Sequence, residues 1–329
     1  MEMMKEIETR IKEVVKDLFT QNKIDLFIGY SKGSLPLTSS PCFITKSEDI
    51  EKLVWNSFCS NNLAVYLPRI FNPQPRKKEK IELPRIGILA KGCDARSIVV
   101  LIKEHQIARD NVFILGIVCQ GMGDRKKIRN DIEITGAEEK NGRITIVDEN
   151  KKEIELKREE LLSDCCIECQ HATPPIHDIL IESGNQRPAA PKGGGRDFEK
   201  KSIEDRWNLF QEEISKCIRC YACRQACPNC YCRECFADQT KPRWIGVTDH
   251  ISDVMFYQIG RIFHQAGRCV DCGACVRACP MGIDLRVFTH KLVRDAKELF
   301  DYEAGVFLEE GLLLATFKPE DKQEFISEP

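Results

Sequence analysis

The chain has 329 residues, 30% of them charged, and a formal net charge of −2. That length leaves room for two domains with separate cores, and the near-neutral charge excludes a general electrostatic field for nucleic acid. No apolar run approaches the roughly eighteen residues needed for a membrane-spanning helix. The sequence therefore predicts no nucleic-acid partner, no transmembrane segment and a cytoplasmic location.

The first part of the chain alternates between helical and strand periodicity. A strand–helix–strand unit in its middle has runs apolar enough for a parallel sheet covered on both faces. We therefore expect an α/β domain over residues 1–183, with a mixed or parallel sheet. The predicted helices are 1–20, 47–59 and 94–106, and the predicted strands are 24–30, 63–67, 86–90, 112–118, 144–147 and 154–156.

Residues 184–197 contain two prolines and three successive glycines, a composition typical of a linker. The following segment, 198–329, is predicted to be mainly α-helical. Its first helix should be capped by Ser202, which has an acidic residue three positions later. Further helices are predicted over residues 248–264, 284–300 and 304–317.

Eighteen cysteines in a reducing compartment are better explained by thiolates on metal than by disulfides. Two runs repeat one spacing, Cys-x2-Cys-x2-Cys-x3-Cys-Pro, starting at Cys217 and at Cys269. This is the bacterial ferredoxin pattern, in which the fourth cysteine of each run ligates the other [4Fe-4S] cluster. Zinc sites favour separated pairs instead. The predicted ligand sets are Cys217, Cys220, Cys223 and Cys279 for one cluster, and Cys269, Cys272, Cys275 and Cys227 for the other.

Three cysteines between the two runs, Cys230, Cys232 and Cys235, exceed what two clusters need. They could hold an additional cluster with a fourth ligand from elsewhere, replace one of the run ligands, or be buried thiols. The sequence leaves all three interpretations open.

In the first domain, Cys93 and Cys119 each follow a predicted strand. Because the carboxyl ends of parallel strands meet at one edge of a sheet, both thiols should arrive there together. With Cys166 and Cys169 they make a candidate third [4Fe-4S] site, for which Cys165 competes. The alternative is that Cys93 and Cys119 are small core residues.

Three glycines near these cysteines, Gly92, Gly121 and Gly123, would allow close approach of a flavin pyrophosphate, or they are only turn residues. Cys42 and Cys59 read as core thiols. His171 and His177 read as structural histidines.

Three segments of the first domain match a known family in their order and separation: Lys91-Gly92-Cys93-Asp94-Ala95-Arg96, residues 116–121, and Cys166-x2-Cys169 followed by residues 176–179. Through these segments the domain resembles the beta-subunit family of the deazaflavin-coenzyme F(420) reducing hydrogenases and dehydrogenases. The resemblance implies an FAD-containing iron–sulfur protein with Cys93, Cys119, Cys166 and Cys169 as cluster ligands. A beta-type domain followed by a dicluster module is similar to the electron-transfer subunits of formate dehydrogenases, hydrogenases and heterodisulfide-reductase-like complexes.

We therefore expect an iron–sulfur electron-transfer subunit of an anaerobic redox complex, with no catalytic residue of its own. It would relay electrons between a catalytic subunit and a flavin or ferredoxin partner, which includes a heterodisulfide-reductase-like flavoprotein. The alternative is an FAD-dependent oxidoreductase acting on deazaflavin or a nicotinamide. A cysteine-rich zinc scaffold is the third class.

Overall fold

The computed structural model describes residues 2–71, 83–128, 132–140, 142–183 and 198–314. The helices in these ranges are α1 (Glu2–Thr20), α2 (Leu67–Phe71), α3 (Gly92–Lys103), α4 (Asp164–Ile167), α5 (Ile203–Ser215), α6 (Ala222–Ala226), α7 (Ile251–Phe263), α8 (Ala274–Ala278) and α9 (Arg286–Phe300). The strands are β1 (Leu26–Lys32), β2 (Ser39–Ile44), β3 (Ile86–Ala90), β4 (Val112–Ile117), β5 (Ile134–Lys140), β6 (Arg143–Asp148), β7 (Glu153–Lys157) and β8 (Ile179–Ile181). The predicted combination of a mixed sheet with helices, followed by a helical segment, is confirmed.

Strands β2, β1, β3, β4 and β8 form one sheet in that spatial order. Strand β2 is antiparallel to β1, whereas the pairs β1–β3, β3–β4 and β4–β8 are parallel. Every residue of β3 is buried, as expected for a strand covered on both faces. The amphipathic α1 contributes its apolar face, including Ile11 and Val15, to the core of this sheet. The carboxyl ends of β3 and β4 consequently lie at one edge, where the chain continues into Cys93 and Cys119.

A second, antiparallel sheet consists of β5, β6 and β7. The hairpin predicted from residues 144–156 corresponds to β6 and β7. Strand β5 was not predicted, because its exposed Thr135, Glu138 and Lys140 hide the alternating pattern.

Three predicted elements are wrong. Residues 47–59 form only a short 3-10 helix, Ser47–Lys52, because the Asn56 side chain accepts a hydrogen bond from the amide of Phe58 and stabilises a turn. Residues 63–67 are helical and not extended, since Asn62 caps a 3-10 turn there. Residues 304–314 are turns and bends; residues 315–317 of that predicted helix lie outside the described residues.

The other predicted helices of the second segment are present. Ser202 caps α5 by accepting a hydrogen bond from the amide of Asp205, 3.0 Å away. Helix α5 packs on α7, and α7 packs on α9, around a core that contains Phe210, Ile214 and Phe288. The predicted linker 184–197 lies outside the described residues, so both domain boundaries stay predictions.

Direct contacts join the two segments. The buried Arg96 of α3 donates from Nε and Nη2 to the carbonyl oxygen of Ala304, at 3.0 and 2.8 Å. The carboxylate of Glu104 accepts two hydrogen bonds from Arg268. A small apolar cluster that includes Val100 and Val270 lies beside these contacts. The sheet edge with Cys93 and Cys119 is thereby held against the dicluster segment.

Among the described residues, no helix combines the length and the hydropathy needed to cross a bilayer.

Candidate iron–sulfur centres

The two cysteine runs adopt the same local conformation. In each run the residues on both sides of the second cysteine have a left-handed backbone: Arg219 and Tyr221 around Cys220, and Asp271 and Gly273 around Cys272. Each run then enters a five-residue helix, α6 or α8. Alternation of right- and left-handed residues turns successive amides into a concavity for an anion, as at many iron–sulfur sites. The amide of Arg219 accordingly donates to Sγ of Cys217 at 3.4 Å.

The fourth cysteine of each run lies beside the other run. Cys223 interacts electrostatically with Cys217 and with Cys279. Cys269, Cys272 and Cys275 each interact with Cys227. Helices α6 and α8 are in contact, which brings the two runs together. The two runs are thus brought together, with Cys223 close to Cys275 as well, and the division of the thiols into two crossed ligand sets stays a prediction.

Of the eight cysteines in these sets, Cys223 and Cys279 are buried, Cys220 is exposed and the other five are half-buried. Burial raises the pKa of Cys272 and of Cys275 to about 11 and raises the pKa of Cys223 as well. Iron is bound by thiolates, so cluster assembly must release these protons. The donor set fits a [4Fe-4S] pair: four cysteine sulfurs on each side, with backbone amides directed at sulfur.

At the sheet edge, a cavity of about 130 Å³ is lined by Cys93, Cys119, Cys166 and Cys169. The amide of Gly121 donates to Sγ of Cys119, and the amide of Met122 donates to Sγ of Cys166, both at 3.3 Å. Four sulfurs around a cavity, with amides directed at two of them, fit a third [4Fe-4S] cluster.

A buried ion pair supports this sheet edge. The Nζ of Lys91 lies 2.9 Å from Oδ2 of Asp94 and donates hydrogen bonds to Tyr30 and to the carbonyl of Asn61. Burial lowers the pKa of Lys91, but the charges of Asp94 and Tyr30 outweigh it, and the pKa lies well above its ordinary value. Lys91 therefore stays cationic close to Cys93 and Cys119 and opposes the negative charge of the cluster proposed there.

Cys165 lies between the sheet-edge site and the dicluster runs. Its Sγ donates to the carbonyl oxygen of Cys272 at 3.6 Å, and a side chain on Gly273 would meet the same sulfur at 2.6 Å. Arg277 lies in the same place, donating to the carbonyls of Cys272 and Ser60. Its electrostatic partners include Cys93 and Cys166 on one side and Cys272 on the other.

Cys230, Cys232 and Cys235 line a separate cavity of about 390 Å³ together with Cys227 and His264. Cys230 accepts a hydrogen bond from Gln265, whereas Cys232 is exposed. No three Cys, His, Asp or Glu side chains in the described parts of the chain meet closely enough to hold a single metal ion. A further site on these cysteines remains a prediction.

The glycines proposed for flavin have protein neighbours. A side chain on Gly92 would meet the carbonyl oxygen of His171 at 1.9 Å, and one on Gly123 would meet the ring of Phe58 at 2.8 Å. Only Gly121 has a left-handed backbone, with φ of 87°. Gly92 and Gly123 are thus closely packed against protein atoms, and a flavin site at the three glycines stays a prediction.

The remaining candidate residues, one histidine and two cysteines, have the contacts and burial of structural residues. His171 pairs with Glu303, Cys59 is fully buried in the sheet core, and Cys42 lies half-buried on β2. Sequence reasoning missed the buried cations Lys91 and Arg261 and the half-buried Arg277. The available signal was their position next to cysteine motifs, since a buried charge needs a partner.

Comparison with known proteins agrees with this geometry. The model of the 4Fe-4S dicluster domain matches residues 213–283. The chain carries a 4Fe-4S dicluster domain. That domain holds both cysteine runs and α5, α6, α7 and α8 in whole or in part, so the predicted pair of [4Fe-4S] clusters is supported.

Two relatives match nearly the whole chain. The F420-dependent formate dehydrogenase subunit beta of Methanocaldococcus jannaschii is 24% identical, over 90% of this chain and 91% of its own length. The F420-dependent formate dehydrogenase 1 subunit beta of Methanococcus maripaludis is 25% identical, over 90% of each. A chain of the F420-reducing [NiFe] hydrogenase complex from Methanosarcina barkeri has 17% identity and a TM-score of 0.39, covering 63% of this chain and 86% of its own. The names of the two formate dehydrogenase subunits agree with the resemblance inferred from the first-domain motifs.

Proposed function

We propose that the chain is the iron–sulfur electron-transfer subunit of a cytoplasmic complex of the F420-dependent formate dehydrogenase type. Its cofactors would be three [4Fe-4S] clusters, ligated by the two crossed cysteine sets and by Cys93, Cys119, Cys166 and Cys169. When bound, such clusters accept and release single electrons. The names of the two relatives support this assignment, since they match along the length of the chain.

The observation that carries the proposal is the contact between Cys165 and Cys272. It brings the loop of the sheet-edge site against the loop that contributes Cys269, Cys272 and Cys275. Cys227, the crossed ligand of the Cys269 set, belongs in sequence to the run that starts at Cys217. It therefore connects the Cys269 set to the Cys217 set. These contacts support a series of three proposed sites, with the Cys269 set in the middle, as a relay between two partners requires.

The partners are a catalytic redox subunit of the formate dehydrogenase or hydrogenase type at one end, and a flavin- or ferredoxin-containing protein at the other. A heterodisulfide-reductase-like flavoprotein is one such acceptor. The protein's own contribution is the position of the thiols, the amides directed at sulfur and the exclusion of water.

Formate-dependent reduction tests the proposal. The anaerobically purified complex should lose part of its broad visible absorption when formate is added. Replacing Cys272 by serine should stop electrons from passing beyond the sheet-edge site. An isolated complex whose iron–sulfur absorption does not respond to formate, hydrogen or reduced deazaflavin would contradict the proposal.

A second candidate function is supported by a cavity of about 590 Å³ between the two segments, within the usual size of a cofactor site. Gly123, Arg125 and Lys126 line it on one side, and Arg277 lines it on the other. The Nε of Arg125 is buried and has no hydrogen-bond partner among the described residues, which suits an anionic pyrophosphate.

A flavin there would make the chain an FAD-dependent oxidoreductase of deazaflavin or nicotinamide. Flavin released by acid from purified protein would support this function, and its absence would exclude it.

A further inference from the structure

One face of α7 presents buried polar side chains to the cysteine runs. Gln258, Arg261 and Gln265 are spaced three and four residues apart, so they lie on one side of the helix and its last turn. They are only 1%, 4% and 4% exposed. The Nε2 of Gln258 donates to Sγ of Cys217, and the Nε2 of Gln265 donates to Sγ of Cys230, both at 3.3 Å.

Arg261, in the middle of this face, has unused hydrogen-bond donors. Its Nη2 donates to the carbonyl oxygen of Cys223 at 3.0 Å. Its Nε and Nη1 are buried and have no hydrogen-bond partner among the described residues. A buried guanidinium with unpaired donors is destabilising unless negative charge lies nearby.

Thiols of both cysteine runs lie around Arg261 and would carry that negative charge once they are bound to iron. Arg261 lines a cavity with Cys227, Cys269, Cys272 and Cys275, and its Nη2 donates to the carbonyl oxygen of Cys223. Its strongest electrostatic partners are the thiols of Cys223, Cys275, Cys230 and Cys227. No carboxylate is among them. The guanidinium therefore lies between the two proposed cluster sites and faces ligands of each.

We propose that Arg261 serves both dicluster sites through its positive charge. This charge raises the reduction potentials of both clusters and reduces the repulsion between the two reduced clusters. This inference depends on the ligand sets of the proposed function. A positive charge beside an anionic cluster favours the reduced state, which carries one more electron. Because one cation serves both sites, its removal should also make the second reduction harder once the first has occurred.

The test is a redox titration of the full-length, anaerobically purified chain, monitored by electron paramagnetic resonance. In Arg261→Gln, both dicluster midpoint potentials should shift to more negative values, and the separation between them should widen. Arg261→Lys retains the charge and should stay close to wild type. Arg243→Gln, which removes an exposed arginine, is the matched control and should leave all potentials unchanged.

Iron content separates failure of the ligand assignment from failure of the inference. Full iron with unchanged midpoints in Arg261→Gln would overturn the role of Arg261 and leave the ligand sets intact. If Arg261→Gln takes up no iron, the iron content and midpoint potentials of Arg261→Lys test the inference instead. Iron loading and near-wild-type potentials in the lysine variant would support the inference, whereas failure of that variant to load would overturn it. Wild-type protein without dicluster signals would contradict the ligand sets themselves.

Discussion

The Sγ of Cys165 donates a hydrogen bond to the carbonyl oxygen of Cys272 across 107 residues of sequence. This contact joins the loop of the sheet-edge site to the loop of the nearer dicluster site. Cys165 is adjacent in sequence to Cys166, a proposed ligand, so a short covalent and hydrogen-bonded path connects the two sites. We therefore interpret Cys165 as part of the junction between sites and not as a ligand.

Replacing Cys165 by alanine should leave the iron content unchanged and slow electron transfer between the sheet-edge site and the dicluster sites. The physical reason is that the substitution removes the contact but none of the proposed ligands. Rapid freeze-quench paramagnetic resonance after a reducing pulse would measure this rate. Cys42→Ala, on the far strand β2, is the control. Loss of about four irons in Cys165→Ala would show instead that Cys165 is a ligand.

Replacing Arg96 by methionine should destabilise the chain by about 2–3 kcal/mol, the usual range for hydrogen bonds to a buried charged group. The substitution removes both hydrogen bonds to the carbonyl of Ala304 and leaves that buried carbonyl unsatisfied. Thermal unfolding of anaerobic protein would measure the loss. Arg10→Met breaks an exposed pair with Glu13 and should change stability by less than about 1 kcal/mol. Equal effects of the two substitutions would contradict a structural role for Arg96.

Asp94→Asn should destabilise the protein by about 3–5 kcal/mol, because it leaves the charge of Lys91 buried without its ion-pair partner. The double variant Lys91→Met with Asp94→Asn should recover part of this loss, since no buried charge then remains. A double-mutant cycle in denaturant measures the coupling. Additive single effects would mean that the pair does not act as a unit.

Gly273→Val should disturb the junction between sites more than Gly282→Val. A side chain on Gly273 would lie 2.6 Å from Sγ of Cys165, whereas Gly282 has no atom within 4 Å in that direction. Both glycines have a left-handed backbone, so the cost of placing valine there is shared and the comparison isolates the steric clash. Iron content and the signals of the sheet-edge site should change only in Gly273→Val. Equal changes in both variants would show that the loss comes from the strained left-handed backbone alone and not from a clash with Cys165.

The cysteine spacing predicted a pair of [4Fe-4S] clusters, which the match to a dicluster domain over residues 213–283 supports, because the spacing itself determines the local geometry. Each x2 gap contains a left-handed residue, and each x3 gap lies within a five-residue helix, in both runs. The sheet edge was also predictable, since parallel strands must bring Cys93 and Cys119 to one side.

Elements shaped by distant contacts were not predictable. Residues 63–67 look like a strand, but the amide of Leu63 is bound by the carboxylate of Asp94, and Asn62 caps a helical turn instead. The predicted helix after residue 303 fails because Gly305, with φ of 75°, lies against the backbone of Arg96. The roles of Arg261 and Arg277 depend on packing between segments, which periodicity does not show.

Iron and sulfide quantification of the anaerobically purified chain tests the central claim most directly. Three [4Fe-4S] clusters require about twelve irons and about twelve sulfides per chain. That result, with loss of about four irons each in Cys93→Ser and Cys279→Ser, is what the relay predicts. A value near eight would contradict the sheet-edge site, and a value well below eight, or zinc in place of iron, would contradict the iron–sulfur relay as a whole.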